Sequence, residues 1–150
     1  MDVLNNAKCA EMGKSCVCLN LRKASRMITQ TYDESLRPSG LRVTQFGLMM
    51  VVKGVGKVTV TKLAKWATME RTTVTRNLKL LEKKGFVKIE PGEDQRERVV
   101  TLTDEGIQAL NAALPFWEKA QQDIKEIFGE DRTSHVIKEV SKMTSILRNR

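Results

Sequence analysis

The stretch from residue 59 to residue 103 reads TVTKLAKWATMERTTVTRNLKLLEKKGFVKIEPGEDQRERVVTLT. Thr59 or Thr61 can cap a first short helix, because a threonine hydroxyl accepts a hydrogen bond from a free amide of the first turn. The apolar residues on one side of that helix are Leu63, Ala64 and Ala67. Residues 68–70, Thr-Met-Glu, then form a tight turn. The pattern predicts a short helix followed at once by a second one.

The second helix, from Arg71 to Lys84, has two distinct faces and a clear end. Gly85 favours the left-handed conformation of a helix C-cap, and Phe86 can fold back as the accompanying apolar contact. At 100° per residue, one side is an apolar stripe formed by Val74, Leu78 and Leu81. The opposite side has hydrogen-bond donors and no acidic residue, and it consists of Thr72, Arg76, Lys79 and Lys83. Such donors meet bases and phosphates in a major groove, although a solvated helical face has the same composition.

A β-hairpin is predicted after this helix. The β-prone runs 86–90 and 98–102 bracket a polar, charged stretch at 91–97. Arg96 and Arg98 lie near the tip of the hairpin. Asp94 either braces the tip through a charge-assisted hydrogen bond or is an ordinary turn aspartate, and the sequence leaves both interpretations open.

A small helix, a tight turn, a basic-faced helix and an arginine-bearing hairpin follow one another in the order of a winged helix-turn-helix. In that geometry the second helix enters the major groove of DNA. The hairpin reaches the adjacent minor groove, whose narrow A·T-rich stretches attract arginine. We expect Arg96 to be the side chain inserted there.

Helices are predicted on both sides of this lobe. One runs from Cys18 to about Leu36, and a short one at 46–52 follows Thr44, a plausible N-cap, and precedes a break at 54–56. Lys57-Val58 is a brief extended segment. A helix from Thr103 should kink at Pro115 and end at residues 129–131, and a last helix should begin at about Arg132.

The expected fold is mainly α with a small β-hairpin wing, an α+β arrangement in a single domain of residues 1–150. Residues 41–103 form the DNA-binding lobe, and residues 1–40 and 104–150 form terminal helices. The terminal helices are rich in apolar residues that lack an obvious partner within one chain. Mutual burial in a homodimer is the simplest explanation, so these segments are interpreted as dimerisation helices.

The net charge of +8 is concentrated in the middle of the chain. Residues 41–100 contain 13 Lys and Arg against 6 Asp and Glu, whereas the other 90 residues contain 13 against 12. A charge serving solubility alone would be spread along the chain, so this asymmetry favours a nucleic-acid-binding centre. No apolar run approaches the ~18 residues of a membrane span. The first residues lack the pattern of a secretory signal, and we expect a cytoplasmic protein with no membrane partner.

These residues resemble the MarR family of transcriptional regulators. The resemblance covers about Cys18 to Leu110, and its most specific part is the D-x-R wing at 94–96 followed by Leu102-Thr103 and Gly106. It implies a homodimer on a pseudo-palindromic operator, usually a repressor released by a small ligand or by oxidation. It also implies that Thr72, Thr73, Thr75 and Arg76 face the major groove and that Arg96 faces the minor groove. The last forty residues match only as generic helices.

Three cysteines, Cys9, Cys16 and Cys18, lie in the first eighteen residues. The distance in sequence from Cys18 to Tyr32 is similar to that in the hydroperoxide-sensing branch of the family. That branch normally has a tyrosine where this chain has Arg22, a cation that would favour the reactive thiolate. The alternative is that the cysteines are small residues of a dimer interface. A metal site built from them and the single histidine lacks the usual spacing, so neither a metal nor another cofactor is expected.

A small aromatic or phenolic ligand is suggested by the family alone. The side chains that are able to line a pocket, or equally to fill the core, are Trp66, Trp117, Phe116, Met49 and Met50. The chain lacks the glycine-rich phosphate cradles and the nucleophile elbow that mark common enzyme classes, so catalysis is not expected. The rival hypothesis is a winged-helix module for protein or RNA contacts without specific operator binding.

Overall fold

The helices and strands follow one another in the expected order, with one further helix at the start. The computed structural model describes residues 3–150, and it confirms the mainly helical fold with a small antiparallel sheet. The elements within that range are α1 (Asn6–Ser15), α2 (Val17–Leu36), a 3₁₀ turn (Arg37–Ser39), α3 (Val43–Val55), β1 (Lys57–Thr59), α4 (Val60–Ala67), α5 (Arg71–Lys83), β2 (Val87–Pro91), β3 (Arg98–Leu102), α6 (Asp104–Phe128) and α7 (Glu130–Arg148).

The hairpin is part of a three-stranded sheet in which β3 is central. β2 pairs antiparallel with β3 from Val87 opposite Leu102 to Pro91 opposite Arg98. β1, expected only as a brief extended segment, pairs with the other edge of β3, where Val58 lies opposite Val100. This third strand anchors the base of the wing to the segment that leads into α4.

The core of the lobe draws on nearly every element between α2 and α6. Its fully buried side chains include Leu36, Leu48, Met49, Val52, Leu63, Val74, Leu78, Leu81 and Val100. From α6, Trp117 stacks on Phe46 with ring centroids 5.9 Å apart. Phe116 also packs against this core. The long helix α6 is therefore joined to the lobe by apolar packing.

The N-terminus of α3 differs from the sequence expectation. The helix begins at Val43, before Thr44, so the prediction of Thr44 as N-cap was wrong. The Val43 amide instead donates to Oδ1 of Asp33 at 2.8 Å, and the Arg42 amide donates to Oε1 of Gln45 at 3.2 Å. Because Asp33 lies on α2, this cap depends on tertiary packing. The helix also continues through residue 54, and the break follows at Gly56 with φ of +81°.

The ends of α4 and α5 follow the sequence closely. Thr59 accepts from the Lys62 amide, which makes Thr59 rather than Thr61 the cap of α4. Gly85 has φ of +75°, and the Phe86 amide donates to the Leu81 carbonyl at 3.0 Å. The predicted glycine C-cap of the second helix is confirmed.

The terminal helices were predicted in part. α6 is one continuous helix that contains Pro115 and ends before Gly129, and α7 begins two residues earlier than expected. The first helix, α1, was not anticipated, and it has no buried residue. Within residues 3–150, no helix is both long and apolar enough to cross a membrane.

The start of α6 approaches the turn after α5 closely. The Thr103 amide donates to the Phe86 carbonyl at 3.1 Å, and the Thr103 hydroxyl donates to the Gly85 carbonyl at 2.5 Å. A Cβ placed on Gly106 would lie 1.9 Å from the Phe86 carbonyl oxygen. No side chain fits there without backbone movement, which gives a physical reason for glycine after the wing.

Replacing this glycine tests the contact. Gly106→Ala should lower the free energy of unfolding by about 2 kcal/mol or more, because the added methyl group must displace backbone. Gly54→Ala is the control, since a Cβ at Gly54 meets nothing within 4 Å. The control should be neutral or stabilising by about 0.4–1 kcal/mol. Urea denaturation at one fixed protein concentration measures both, and equal midpoints for the two variants would contradict the close approach.

Candidate nucleic-acid interface

The face of α5 that points to solvent is the basic one. Its buried stripe is 0% exposed at Val74, 1% at Leu78 and 0% at Leu81. The predicted donor face is exposed at Thr72, Arg76, Lys79 and Lys83, and Thr73 and Thr75 are half-buried beside it. The prediction of which sides of the helix are buried and exposed is confirmed.

A shallow groove of about 650 Å³ runs along this face. Its lining residues are Arg71, Thr72, Thr75, Arg76, Lys79, Leu80 and Lys83. The ion pairs among residues 3–150 involve none of these cations. Their charges are therefore free to meet an external anion.

A second groove, of about 510 Å³, lies between α5 and the wing. It brings Arg71, Thr75 and Lys79 of α5 to the same opening as Arg98 of β3. The one carboxylate that lines it, that of Glu82, accepts a hydrogen bond from the Ile89 amide at 3.3 Å. This bond ties α5 to β2, so the groove holds three cations around an anchored hairpin base.

The tip of the wing is a local turn built on Asp94. Oδ1 of Asp94 accepts from the Arg96 amide at 3.0 Å, and the Asp94 carbonyl accepts from the Glu97 amide at 2.9 Å. No ion pair joins Asp94 to Arg96 or Arg98 in the described part of the chain. Asp94 is therefore a turn aspartate whose carboxylate also braces the tip through a charge-assisted hydrogen bond to a backbone amide, so the two interpretations describe the same contact. Arg96 is exposed at the tip, apart from the grooves of α5.

Three glutamates of the wing line a different opening from Arg98. Glu90, Glu93 and Glu97 border a groove on the α4 side together with Lys57, Lys62 and Trp66. Arg98 borders the groove on the α5 side. The two sides of the hairpin therefore differ in charge, and the cationic side is the one next to α5.

Two residues of this surface were missed by the sequence reasoning. Arg71, the first residue of α5, borders both cationic grooves. Leu80 is 49% exposed on the same face. The helical wheel contained a signal for Leu80, because it lies about 40° from Arg76 on the side of the basic face. Arg71 lies at a helix start, where a wheel alone gives no indication of the neighbouring hairpin.

The three cysteines are free thiols near the junction of the first two helices. Cys9 is exposed on α1, with Sγ 3.6 Å from the Leu4 carbonyl oxygen. Cys16 is half-buried between α1 and α2, and Cys18 is exposed at the start of α2. Within residues 3–150, no group of three His, Cys, Asp or Glu side chains is suitably placed to hold a metal ion.

The aromatic and methionine residues named as pocket candidates are dispersed. Met49, Phe116 and Trp117 belong to the core or pack against it, whereas Met50 and Trp66 are exposed. Tyr32 of α2 donates its hydroxyl hydrogen to Oε1 of Gln121 on α6. Burial raises the pKa of Tyr32 above its ordinary value, which further favours the protonated hydroxyl that donates this bond.

Comparisons with known proteins agree on one class of protein. The family model described as MarR family matches residues 39–97. An uncharacterised HTH-type transcriptional regulator of Bacillus subtilis, YwoH, is 34% identical over 85 residues, which are 57% of this chain and 62% of that protein. The HTH-type transcriptional regulator SarZ of Staphylococcus haemolyticus is 32% identical over 92 residues, 61% of this chain and 63% of SarZ. The matched segment thus spans less than two thirds of either relative.

A solved structure extends the similarity to nearly the whole chain. The crystal structure of the M. tuberculosis transcriptional regulator MosR in complex with DNA is 35% identical, with a TM-score of 0.76. The match covers 89% of this chain and 99% of MosR. Most of the terminal helices as well as most of the lobe therefore have counterparts in a regulator solved on DNA.

Proposed function

This chain belongs to the MarR family of transcriptional regulators, and on that premise we propose that it binds specific duplex DNA sites as a homodimer. The observation that carries the proposal is the exposed, unpaired cationic face of α5, joined to Arg98 of the wing across a shared groove. A face of this kind is able to bind a polyanion, and the crystal structure of MosR in complex with DNA supports a duplex as that partner. The protein would act as a repressor on a pseudo-palindromic operator.

The roles of the α5 residues follow from their positions. An α-helix with its side chains is about 10–12 Å in diameter and therefore fits a major groove ~12 Å wide, and the 13 residues of α5 extend over about 20 Å. Arg76, at mid-helix, is our candidate for bidentate recognition of a guanine, with Thr72, Thr73 and Thr75 beside it. Leu80 supplies an apolar contact suited to a thymine methyl group. Lys79 and Lys83 toward the C-terminus are assigned to phosphates.

The wing supplies a second set of contacts. Arg98 shares its groove with Arg71 and Lys79, so these cations are suited to one stretch of phosphate backbone passing between helix and hairpin. Arg96 stands free at the tip and is proposed to enter the neighbouring minor groove. Asp94 contributes indirectly, because its bond to the Arg96 amide fixes the turn that carries this arginine.

The homodimer is supported by the apolar surface of the terminal helices. Their exposed large hydrophobic side chains include Leu19, Leu21, Met27 and Ile28 on α2, Leu114 and Ile127 on α6, and Val136, Ile137, Val140, Met143, Ile146 and Leu147 on α7. Exposed apolar area of this extent is unfavourable in water and marks an interface. We propose that a second copy covers it, with residues 1–40 and 104–150 as the dimerisation segments and residues 41–103 as the DNA-binding lobe.

Release from the operator is proposed to occur by oxidation or by a small ligand. Cys18 is exposed and lies on the first long helix of the proposed dimer interface, with Cys16 and Cys9 close in sequence. A hydroperoxide converts a thiol to sulfenic acid and is itself reduced to the alcohol. The added polar group on α2 would disturb packing between subunits. For an aromatic or phenolic ligand, no residue points to a particular compound.

The DNA-binding prediction concerns two arginines. On a duplex selected by the protein from a randomised library, Arg76→Ala should cost about 1–3 kcal/mol and relax specificity, because a base contact is lost. Arg96→Ala should weaken binding chiefly to sites with A·T-rich flanks. For the wild type, affinity should fall steeply between ~50 and ~200 mM salt as counterions are released. Fluorescence anisotropy measures all three.

The control is Arg132→Ala, which removes the same charge from an exposed position on α7. It should leave duplex affinity nearly unchanged. Equal wild-type affinity for selected and random duplexes would remove the claim of specific recognition. Tighter binding to single-stranded RNA or to an acidic protein than to the selected duplex would favour the rival interaction module.

The dimer prediction uses the apolar side of α7. Val140→Glu should convert the protein to a monomer, because it places a charge in the proposed interface, and sedimentation equilibrium should then give half the wild-type mass. Lys138→Glu is the control. It changes the charge by more than Val140→Glu does, but its position is about 160° away from Val140 around the same helix. It should remain dimeric. A monomeric wild type at micromolar concentration would contradict the proposal.

The redox prediction compares Cys18→Ser with the wild type. Treatment with an organic hydroperoxide should release the wild type from its selected duplex, and dithiothreitol should restore binding. Cys18→Ser should stay bound under the same treatment. Identical release curves for the two proteins would exclude Cys18 as the sensor without affecting the DNA-binding proposal.

A further inference from the structure

The last helix of the chain ends on the turn of the helix-turn-helix. Nη2 of Arg148, the final residue of α7, lies 3.3 Å from the Lys65 carbonyl oxygen and 3.3 Å from the Trp66 carbonyl oxygen. The same nitrogen donates to Oγ1 of Thr68. These contacts connect positions that are 80 to 83 residues apart in the chain. One guanidinium group thus bridges the terminal helices and the lobe.

Two of the three acceptors are carbonyl groups at the C-terminus of a helix, and the third is the Thr68 hydroxyl. Lys65 and Trp66 belong to the last turn of α4, whose carbonyls have few partners within the helix. The negative end of the helix dipole also favours a cation there. Because Nη2 has two hydrogens and three acceptors in reach, it shares them among the acceptors. The charge and the donors of Arg148 are therefore both suited to capping α4.

Thr68 holds an unusual backbone conformation at this place. Its φ of +52° lies in the left-handed region, and no other non-glycine residue in the described range 3–150 has a positive φ. Threonine is β-branched and disfavours that region, so surrounding contacts must hold it. They include the hydrogen bond that the Thr68 amide donates to the Lys65 carbonyl and the hydrogen bond that Arg148 donates to the Thr68 hydroxyl.

The conformation of Thr68 sets the direction of α5. Only Met69 and Glu70 separate Thr68 from Arg71, where α5 begins. A rotation at Thr68 therefore tilts the helix that carries the cationic face. Arg148 acts on the one residue of this turn whose backbone is strained.

The other end of the connection is the proposed dimer face. α7 packs along α6, and its apolar residues Val140, Met143 and Leu147 lie on one stripe. Leu147 directly precedes Arg148. Any displacement of α7 during assembly or release therefore moves the guanidinium group relative to the end of α4.

We propose that Arg148 is a positioning residue that couples the packing of the terminal helices to the orientation of α5. The expected effect on duplex binding rests on the proposed DNA-binding function. The coupling between the terminal helices and α5 is a property of the protein without DNA. Loss of the guanidinium group frees the turn at Thr68 and lets α5 sample other tilts. Duplex binding then weakens although no DNA-contacting residue has changed.

Hydrogen–deuterium exchange of the full chain without DNA tests the coupling first. In Arg148→Ala, the amides of residues 66–71 should exchange on the order of fivefold faster, because a hydrogen bond to a charged group is lost. Amides of β2 and β3 should be unchanged, which shows that the fold is intact. Arg148→Lys keeps the charge and should give smaller changes. Arg150→Ala, which removes an exposed cation that takes part in none of the ion pairs among residues 3–150, should match the wild type.

Duplex affinity tests the consequence. On the selected duplex, Arg148→Ala should bind about fivefold more weakly and Arg150→Ala should bind like the wild type. Unchanged exchange at residues 66–71 overturns the coupling whatever the DNA result. Faster exchange with unchanged affinity overturns the positioning role. Faster exchange in a protein whose wild type binds no duplex supports the coupling and refutes the proposed function instead.

Discussion

Burial of one apolar stripe on α5 fixes the rotation of that helix about its own axis, and the surface offered to a partner depends on this rotation. Val74, Leu78 and Leu81 are each almost completely inaccessible. Burying such side chains contributes about 1.5–3 kcal/mol each. A half turn of the helix would expose all three and force Arg76 and Lys79 inward, at several kcal/mol per unpaired ion. The apolar and electrostatic terms therefore favour the same orientation, with the cations outward.

The wing is held to this helix by contacts that leave little freedom at its base. β3 is paired on both edges, the Ile89 amide is bound by Glu82, and the start of α6 sits against the Phe86 carbonyl where only a glycine fits. These constraints bring Arg98 to the groove of α5, and three glutamates of the hairpin, Glu90, Glu93 and Glu97, lie on the α4 side. The hairpin base and α5 consequently form one continuous cationic surface, and the tip with Arg96 extends beyond it.

Local patterns in the sequence predicted the elements whose causes are local. The two faces of α5, the Gly85 cap, the two hairpin strands and the end of α6 at Gly129 follow from spacing and from residue conformational preferences. Contacts between distant segments were not predictable in this way. The cap of α3 by Asp33, the pairing of β1 with β3, and the contact from Arg148 to the end of α4 all depend on tertiary packing. The same distinction applies to the candidate site. The exposure of Arg76 could be predicted from a helical wheel, whereas the groove that Arg71 and Arg98 share could be identified only from the folded structure.

The central claim is that two copies of the α5 surface are held at successive grooves of one duplex by the terminal helices. Hydroxyl-radical footprinting of both strands of the selected duplex tests it most directly. The predicted result is a pair of protected regions that are related by twofold symmetry. Their centres should lie about one helical turn apart, which is ~10 base pairs. A single protected half-site at saturating protein would contradict the claim, because one copy of α5 would then account for all of the binding.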